Sequence, residues 1–367
     1  MAKEKCKYGN VSFIDGMFSE DNDALQGILR EVSGSDEPRV LIVADANVVQ
    51  KVDGIGRKIG MYFQNYGVRL AGSPVVLSGS EKIKCDGIAS ATQLISSALE
   101  AKIGVNDIIL AIGGGAVLDV AGYVAMQIRS GVRLVRVPTT PAAMIDAAFA
   151  KTAAINFHSV KNALSVPCEA DAVVIDVSFA ATVLDGVWRA GVGEAVRYAA
   201  VSDSSLMKKI AKNAERLKNR DLEVFSDLVR SVVASRVKKG STSFALWSAN
   251  RLESMSGYKL PHGYAVPIAV CIDCAYAVEK GVLKESDQET ICRTLADSGA
   301  LDGLVHSHHL LSQADNILYG LDAWRLFSGA FSIEIPSGLG KLKVEENPDK
   351  EVFKKVIKEF LAVSSQS

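Results

Sequence analysis

The stretch NDIILAIGGGAVLDVAGYVA (106–125) decides how this chain is read. An apolar run meets three consecutive glycines, Gly113, Gly114 and Gly115, and residues of helical spacing, AVLDVAGYVAMQIRSG (116–131), follow at once. A strand that passes directly into a helix over residues without Cβ is where a doubly wound sheet binds phosphate. The backbone can approach a pyrophosphate closely there, and the helix N-terminus offers N–H groups and a partial positive charge. Three adjacent glycines are not the spaced G-x-G-x-x-G of the ordinary dinucleotide fold, and a plain tight turn explains them equally well.

Outward from this turn the same alternation continues. RVLIVAD (39–45), GVRLAGSPVVL (67–77), GVRLVRVP (131–138) and DAVVIDV (171–177) read as strands, several of them apolar throughout, as strands buried on both faces are. ASATQLISSALEAKI (89–103) reads as a helix between two of them. The pattern predicts a mostly parallel, doubly wound α/β domain over residues 1–183. Past about residue 185 the texture changes to long amphipathic stretches such as EVFSDLVRSVVASRVKKG and DKEVFKKVIKEFLAV, which predict a mainly helical domain over 184–367. FSIEIPSGLGKLKVEE (331–346) is the exception, with the alternation and turn residues of a small hairpin.

Composition narrows the function classes. The 41 basic and 42 acidic residues nearly cancel and form no long runs, so neither nucleic acid nor an anionic membrane is the expected partner. No apolar run reaches the roughly 18–20 residues of a membrane span, and MAKEKCKYGN lacks an apolar leader region, so a cytoplasmic protein is expected. Six dispersed cysteines are too few for a disulfide scaffold. The close pair Cys271 and Cys274 lies in an apolar helical run and reads as core, since one pair supplies only two metal ligands. The cluster His306, His308 and His309 reads as a solvated turn.

Several motifs then occur in a familiar order. GGGAVLDVAGYVA (113–125) resembles the GGG-x-x-x-D-x-AG-[FY]-x-A of the 3-dehydroquinate synthase family of sugar-phosphate cyclases, and VRLVRVPTT (132–140) resembles its VRF-x-x-VPTT. VADANV (43–48), GSEKIK (79–84) and SFAATV (178–183) resemble further nucleotide-side segments, so the likeness spans most of the chain. It implies a dehydroquinate synthase-like fold with NAD as cofactor. Asp45 and Asn47 would contact its adenosine end, Gly114 and Gly115 its pyrophosphate and Asp119 its nicotinamide, while Glu81, Lys84, Thr139, Thr140 and Thr182 would complete the binding set.

The catalytic side departs from the pattern. Family members oxidise a hydroxyl of a bound sugar phosphate with NAD, eliminate phosphate, reduce the ketone again and close a carbocycle, with a zinc or cobalt ion held by one Glu and two His. RAGVGEAVRYA (189–199) places Glu194 at the glutamate ligand and LPHGYAVPIAV (260–270) places His262 at the last histidine. The middle ligand is replaced by Leu246 in TSFALWSANRLE (242–253), where Asn250 and Glu253 are the nearest substitutes. By sequence, Leu246→His alone is expected to raise metal occupancy, because Glu194 and His262 would already be in place. Asp146, Lys161 and Asn162 match substrate-side positions, Arg197 replaces a lysine, and Thr152 stands at a second lysine position with Lys151 beside it. The resemblance further implies a homodimer, an active cleft between the domains and lyase activity on a small sugar phosphate. Two alternatives remain at this point: a catalytically impaired relative that binds nucleotide or sugar phosphate, and a metal-dependent alcohol dehydrogenase of the glycerol dehydrogenase type.

Overall fold

A computed structural model describes residues 6–85, 88–157, 160–329 and 331–364, and in segments 6–7, 82, 130, 305–306, 327–328 and 363–364 the backbone alone. The His306 side chain therefore lies outside the described residues, whereas His308 is half-buried and His309 exposed. The chain divides into two compact units, 1–183 and 184–367.

In the first unit the strands are β1 (Cys6–Tyr8), β2 (Val11–Phe13), β3 (Arg39–Asp45), β4 (Arg69–Leu70), β5 (Val75–Leu77), β6 (Ile108–Gly113), β7 (Arg133–Pro138), β8 (Thr152–Phe157), β9 (Val160–Pro167) and β10 (Ala172–Ile175). One sheet runs β1-β2-β10-β7-β6-β3-β4, with β5 also on β3, and every pairing in it is parallel except β1 with β2. This is the α/β fold expected from the alternating pattern. All six residues of β6 are buried, which explains why it reads as an uninterrupted apolar run.

Two details differ from the sequence reading. The single strand expected at 67–77 is two short strands, because Gly72 takes a left-handed φ of 88° and Pro74 removes a ladder donor between them. The hairpin β8–β9 stands apart from the main sheet, and its second strand alternates exposed and half-buried residues as a ribbon with one open face does.

Parallel pairing fixes what matters for function. Asp45 is level with Leu77, Ala44 with Ile112, and Gly113 with Pro138, so the ends of β3, β5, β6 and β7 form one edge of the sheet. Helix Gly115–Gln127 starts at that edge.

The second unit is helical, with the hairpin β11 (Ser332–Gly338) and β12 (Lys341–Glu346) as its only described strands. Its centre is formed by helices Asp185–Ser202 and His262–Glu279, both almost entirely buried along their apolar middles. Cys271 and Cys274 are buried in the latter, and Cys292 of a neighbouring helix, together with burial, pushes the Cys271 thiol pKa up. The two central helices cross closely: a Cβ on Gly263 would lie 2.0 Å from the Ala190 Cβ, and one on Gly193 would lie 2.9 Å from Pro267. No described helix is long and apolar enough to cross a membrane.

Candidate active site

At the sheet edge of the first unit, Asp45 ends β3 and caps the short helix Ala46–Lys51, accepting from the backbone N–H of Asn47 at 2.8 Å and from its amide at 3.0 Å. Gly79 lies against this pair, since a Cβ there would be 2.3 Å from Asp45 Oδ1 and 2.4 Å from Asn47 Nδ2. Gly113 and Gly114 approach the same aspartate from β6, and a Cβ on Gly114 would come within 3.1 Å of Thr140. Gly115 opens the following helix, whose first turn has no side-chain cap. Thr140 caps helix Pro141–Ile145 through Ala143 N–H, and Asp146 closes that helix. Thr182 is exposed and gives its hydroxyl proton to the Phe179 carbonyl at 2.8 Å.

A polar network sits in the same unit. Lys84, 3% exposed, donates to Asp119 at 2.8 Å and to Asn162 Oδ1 at 2.7 Å, and lies 3.4 Å from Glu81. Lys161 is 3.8 Å from the same Glu81 oxygen. Asn162 takes a left-handed φ of 55°, and its backbone N–H donates to Asn156 Oδ1. A buried ammonium needs such partners, because desolvation without them costs several kcal/mol or more. One lysine thus ties the positions expected for cofactor (Glu81, Asp119) to one expected for substrate (Asn162). Thr152 opens β8 with an exposed side chain, as does the neighbouring Lys151.

In the helical unit, Glu194 and Arg197 lie one turn apart on the long helix, and His262 begins the helix that crosses it. His262 Nε2 is 2.9 Å from Glu194 Oε1, and its Nδ1 is 2.7 Å from Glu253 Oε1. Arg197 Nε donates to Glu194 Oε2 at 2.7 Å, while Nη1 donates to the carbonyls of Thr242 and Phe244 at 3.0 and 3.2 Å. Glu194 is 1% exposed and Arg197 and Glu253 0%, whereas the His262 side chain is 33% exposed. Burial by itself raises the pKa of Glu194, but Arg197 and His262 outweigh it and hold the carboxyl far below the usual carboxylate range.

The loop beneath Arg197 is fixed from outside. Glu334 of β11 accepts from the Thr242 hydroxyl and the Ser243 N–H, both at 2.6 Å. Ala245 takes a left-handed φ of 63°, rare for a residue with Cβ, and helix Leu246–Met255 follows. Leu246, Asn250 and Glu253 recur at i, i+4 and i+7 and so share one face of that helix. Leu246 and Asn250 are half-buried. Gly79 and Gly263 lie inside the quoted motifs GSEKIK and LPHGYAVPIAV but were given no role there, and Glu334 had only its place in the alternating hairpin as a signal.

The residues fit NAD. Buried Thr139 Oγ1 has no hydrogen-bond partner among the described residues, and Gly113 and Gly114 bring backbone without side chains to the sheet edge beside Asp45 and Thr140, which a Cβ would crowd. They do not fit a tightly held divalent metal. No group of three or more metal-ligating side chains able to hold an ion occurs among the described residues, and Glu194 already shares one oxygen with Arg197. Glu253 cannot substitute as a third ligand beside His262 Nε2, because it binds the opposite edge of the ring.

The fold and these motifs define a dehydroquinate synthase-like α/β plus helical protein, and comparison with known proteins agrees. The 3-dehydroquinate synthase N-terminal family matches residues 74–190. The 3-dehydroquinate synthase of Saccharolobus solfataricus is 27% identical over 216 residues, 56% of this chain and 61% of the relative, so the match spans under two thirds of that enzyme. The structure of 2-epi-5-epi-valiolone synthase from Streptomyces hygroscopicus, with NAD+ and Zn2+ bound, superposes with a TM-score of 0.83 at 21% identity, covering 99% of both chains. 2-Deoxy-scyllo-inosose synthase, complexed with carbaglucose-6-phosphate, NAD+ and Co2+, superposes at 0.76 and 19% identity, covering 97% of this chain and 99% of that one. The chain shares the fold of these cyclases and resembles the 3-dehydroquinate synthases in the segment that their N-terminal family matches.

Proposed function

We propose that the protein is an NAD-dependent, 3-dehydroquinate synthase-like cyclase that acts on a small sugar phosphate. The observation that carries this reading is the single network of Lys84, Asp119 and Asn162 in the unit that carries the glycine turn and the unpartnered Thr139 hydroxyl. NAD, when bound, would supply a reversible hydride acceptor for a secondary hydroxyl of the substrate. Asp45 and Asn47 would bind the adenosine end, Gly114 and Gly115 the pyrophosphate, and Asp119 the nicotinamide side, with Glu81, Lys84, Thr139, Thr140 and Thr182 around them. Asp146, Lys161 and Asn162 would hold the sugar phosphate, whereas Arg197, expected there from the motif, is fully buried on Glu194 and would act through that carboxylate. In the family Glu194 and His262 are metal-ligand positions, and here they would act as a hydrogen-bonded pair. On the same reading residues 1–183 form the NAD-binding domain and 184–367 the helical metal and substrate domain. On this reading the enzyme is a carbon–oxygen lyase and a cytoplasmic homodimer, with neither nucleic acid nor membrane as partner.

The test has two arms. Saturating NAD should stabilise the protein against unfolding, by about 2.7 kcal/mol at 100 times its dissociation constant. Phosphate release is then measured with NAD present, on heptulosonate, sedoheptulose and hexose phosphates in turn. No stabilisation by NAD would overturn the cofactor assignment. NAD binding without phosphate release from any of them would replace the cyclase by a nucleotide- and sugar-phosphate-binding relative.

A further inference from the structure

We infer that Arg197 is the built-in cation of a metal-free centre, its guanidinium replacing the divalent ion that the family holds beside Glu194 and His262. This rests on the family reading of those two positions and of Leu246, and goes beyond it by assigning what occupies the charge role.

Donor number alone leaves the site short. Leu246 offers no lone pair, so two side chains remain, where a zinc site ordinarily has three protein ligands or four. The second obstacle is Arg197 itself. Its Nε engages Glu194 Oε2, and its Nη1 is anchored on the carbonyls of Thr242 and Phe244, so the guanidinium is locked in place from the far side. Those carbonyls belong to the loop that Glu334 clamps and that leads into Leu246. A lysine, the family residue, has no fork with which to make these three bonds from one side chain.

The geometry at the ring points the same way: its nitrogens face Glu194 at 2.9 Å and Glu253 at 2.7 Å, so both are already engaged by carboxylates.

The test uses the full-length protein purified in excess zinc, and separately in cobalt, then dialysed. Metal per chain is measured by mass spectrometry and cobalt coordination by its visible absorption. Wild type and Leu246→His should both stay well below one metal per chain, against the sequence-based expectation that the histidine alone raises metal occupancy. Leu246→His with Arg197→Lys should bind zinc about 10–100-fold more tightly than Leu246→His, the range typical when a partner of a metal ligand is altered. It should also acquire a tetrahedral cobalt spectrum, which a merely structural role for Arg197 would not produce.

Stoichiometric metal in wild type, or in Leu246→His with Arg197 intact, would overturn the inference. So would a folded double variant, checked by circular dichroism, that gains no metal. Stabilisation by NAD on the same samples separates the two readings. Its absence strikes the family assignment, whereas bound metal beside an intact Arg197 strikes this one.

Discussion

Asp273 is the clearest residue-scale case of a group whose cost can be measured. It is fully buried in helix His262–Glu279, and both its carboxylate oxygens face Trp247 Nε1, at 3.2 and 3.1 Å. Desolvation pushes its pKa well above the ordinary carboxylate value, against the smaller opposing effect of the Trp247 bond, and nearby Cys274 is raised by the same burial. The sign of the linkage follows. Unfolded aspartate ionises near pH 3.9 while the folded group keeps its proton, so this residue's contribution is most favourable below about pH 3.9. It is lost as pH rises toward the folded pKa, at up to about 1.4 kcal/mol per pH unit. Asparagine has nearly the same shape, keeps an acceptor for Trp247 and cannot ionise. Asp273→Asn should therefore gain stability relative to wild type between pH 4 and pH 7, read as the difference between urea unfolding curves. A difference that does not change with pH would show that Asp273 is ionised in the fold.

At the scale of elements, the second-unit centre exists because two helices come close enough. Gly263 meets Ala190, and Glu194 lies one turn beyond Ala190 on the same face, so the crossing that admits only glycine at 263 also sets Glu194 against His262. Gly263→Ala should cost about 1–3 kcal/mol of stability, as overpacking of a tight contact does, and should lengthen the Glu194–His262 contact in a crystal structure. Unchanged stability would mean that the helices shift without strain. The same contrast explains what the sequence disclosed. The main-sheet strands were legible because burial on both faces leaves uninterrupted apolar runs, as in β6 and β3. The hairpin β8–β9 was not, because a ribbon of half-exposed residues such as VKNALSVP carries no such run. Glu194, Arg197 and His262 were singled out through the motifs around them. The bonds from Arg197 to the Thr242 and Phe244 carbonyls, and the clamp by Glu334, join residues 45 to 92 positions apart and leave no local pattern.

For the molecule as a whole, the candidate cofactor site is a consequence of topology rather than of any one segment. Four of the pieces expected to meet NAD, 43–48, 79–84, 113–125 and 132–140, are scattered over almost a hundred residues. Parallel strands all end on one side, and the order β7-β6-β3 makes three of those ends neighbours, with β5 added on β3. Register places Asp45, Gly113 and Pro138 along that edge, and Thr139 N–H donates to the Gly113 carbonyl across it at 3.0 Å. A ligand lying along the edge should therefore slow amide exchange in all four segments together, because each would lose opening motions that the bound molecule opposes. Hydrogen exchange of the full-length protein, with and without saturating NAD and read by mass spectrometry, tests this. Concerted protection of the four segments, strongest at 113–119 where the helix N–H groups would face the pyrophosphate, is the expected result. Protection confined to one of them, or centred elsewhere in the chain, would mean that the glycine turn is a plain strand-to-helix connection and that the nucleotide is held by other residues.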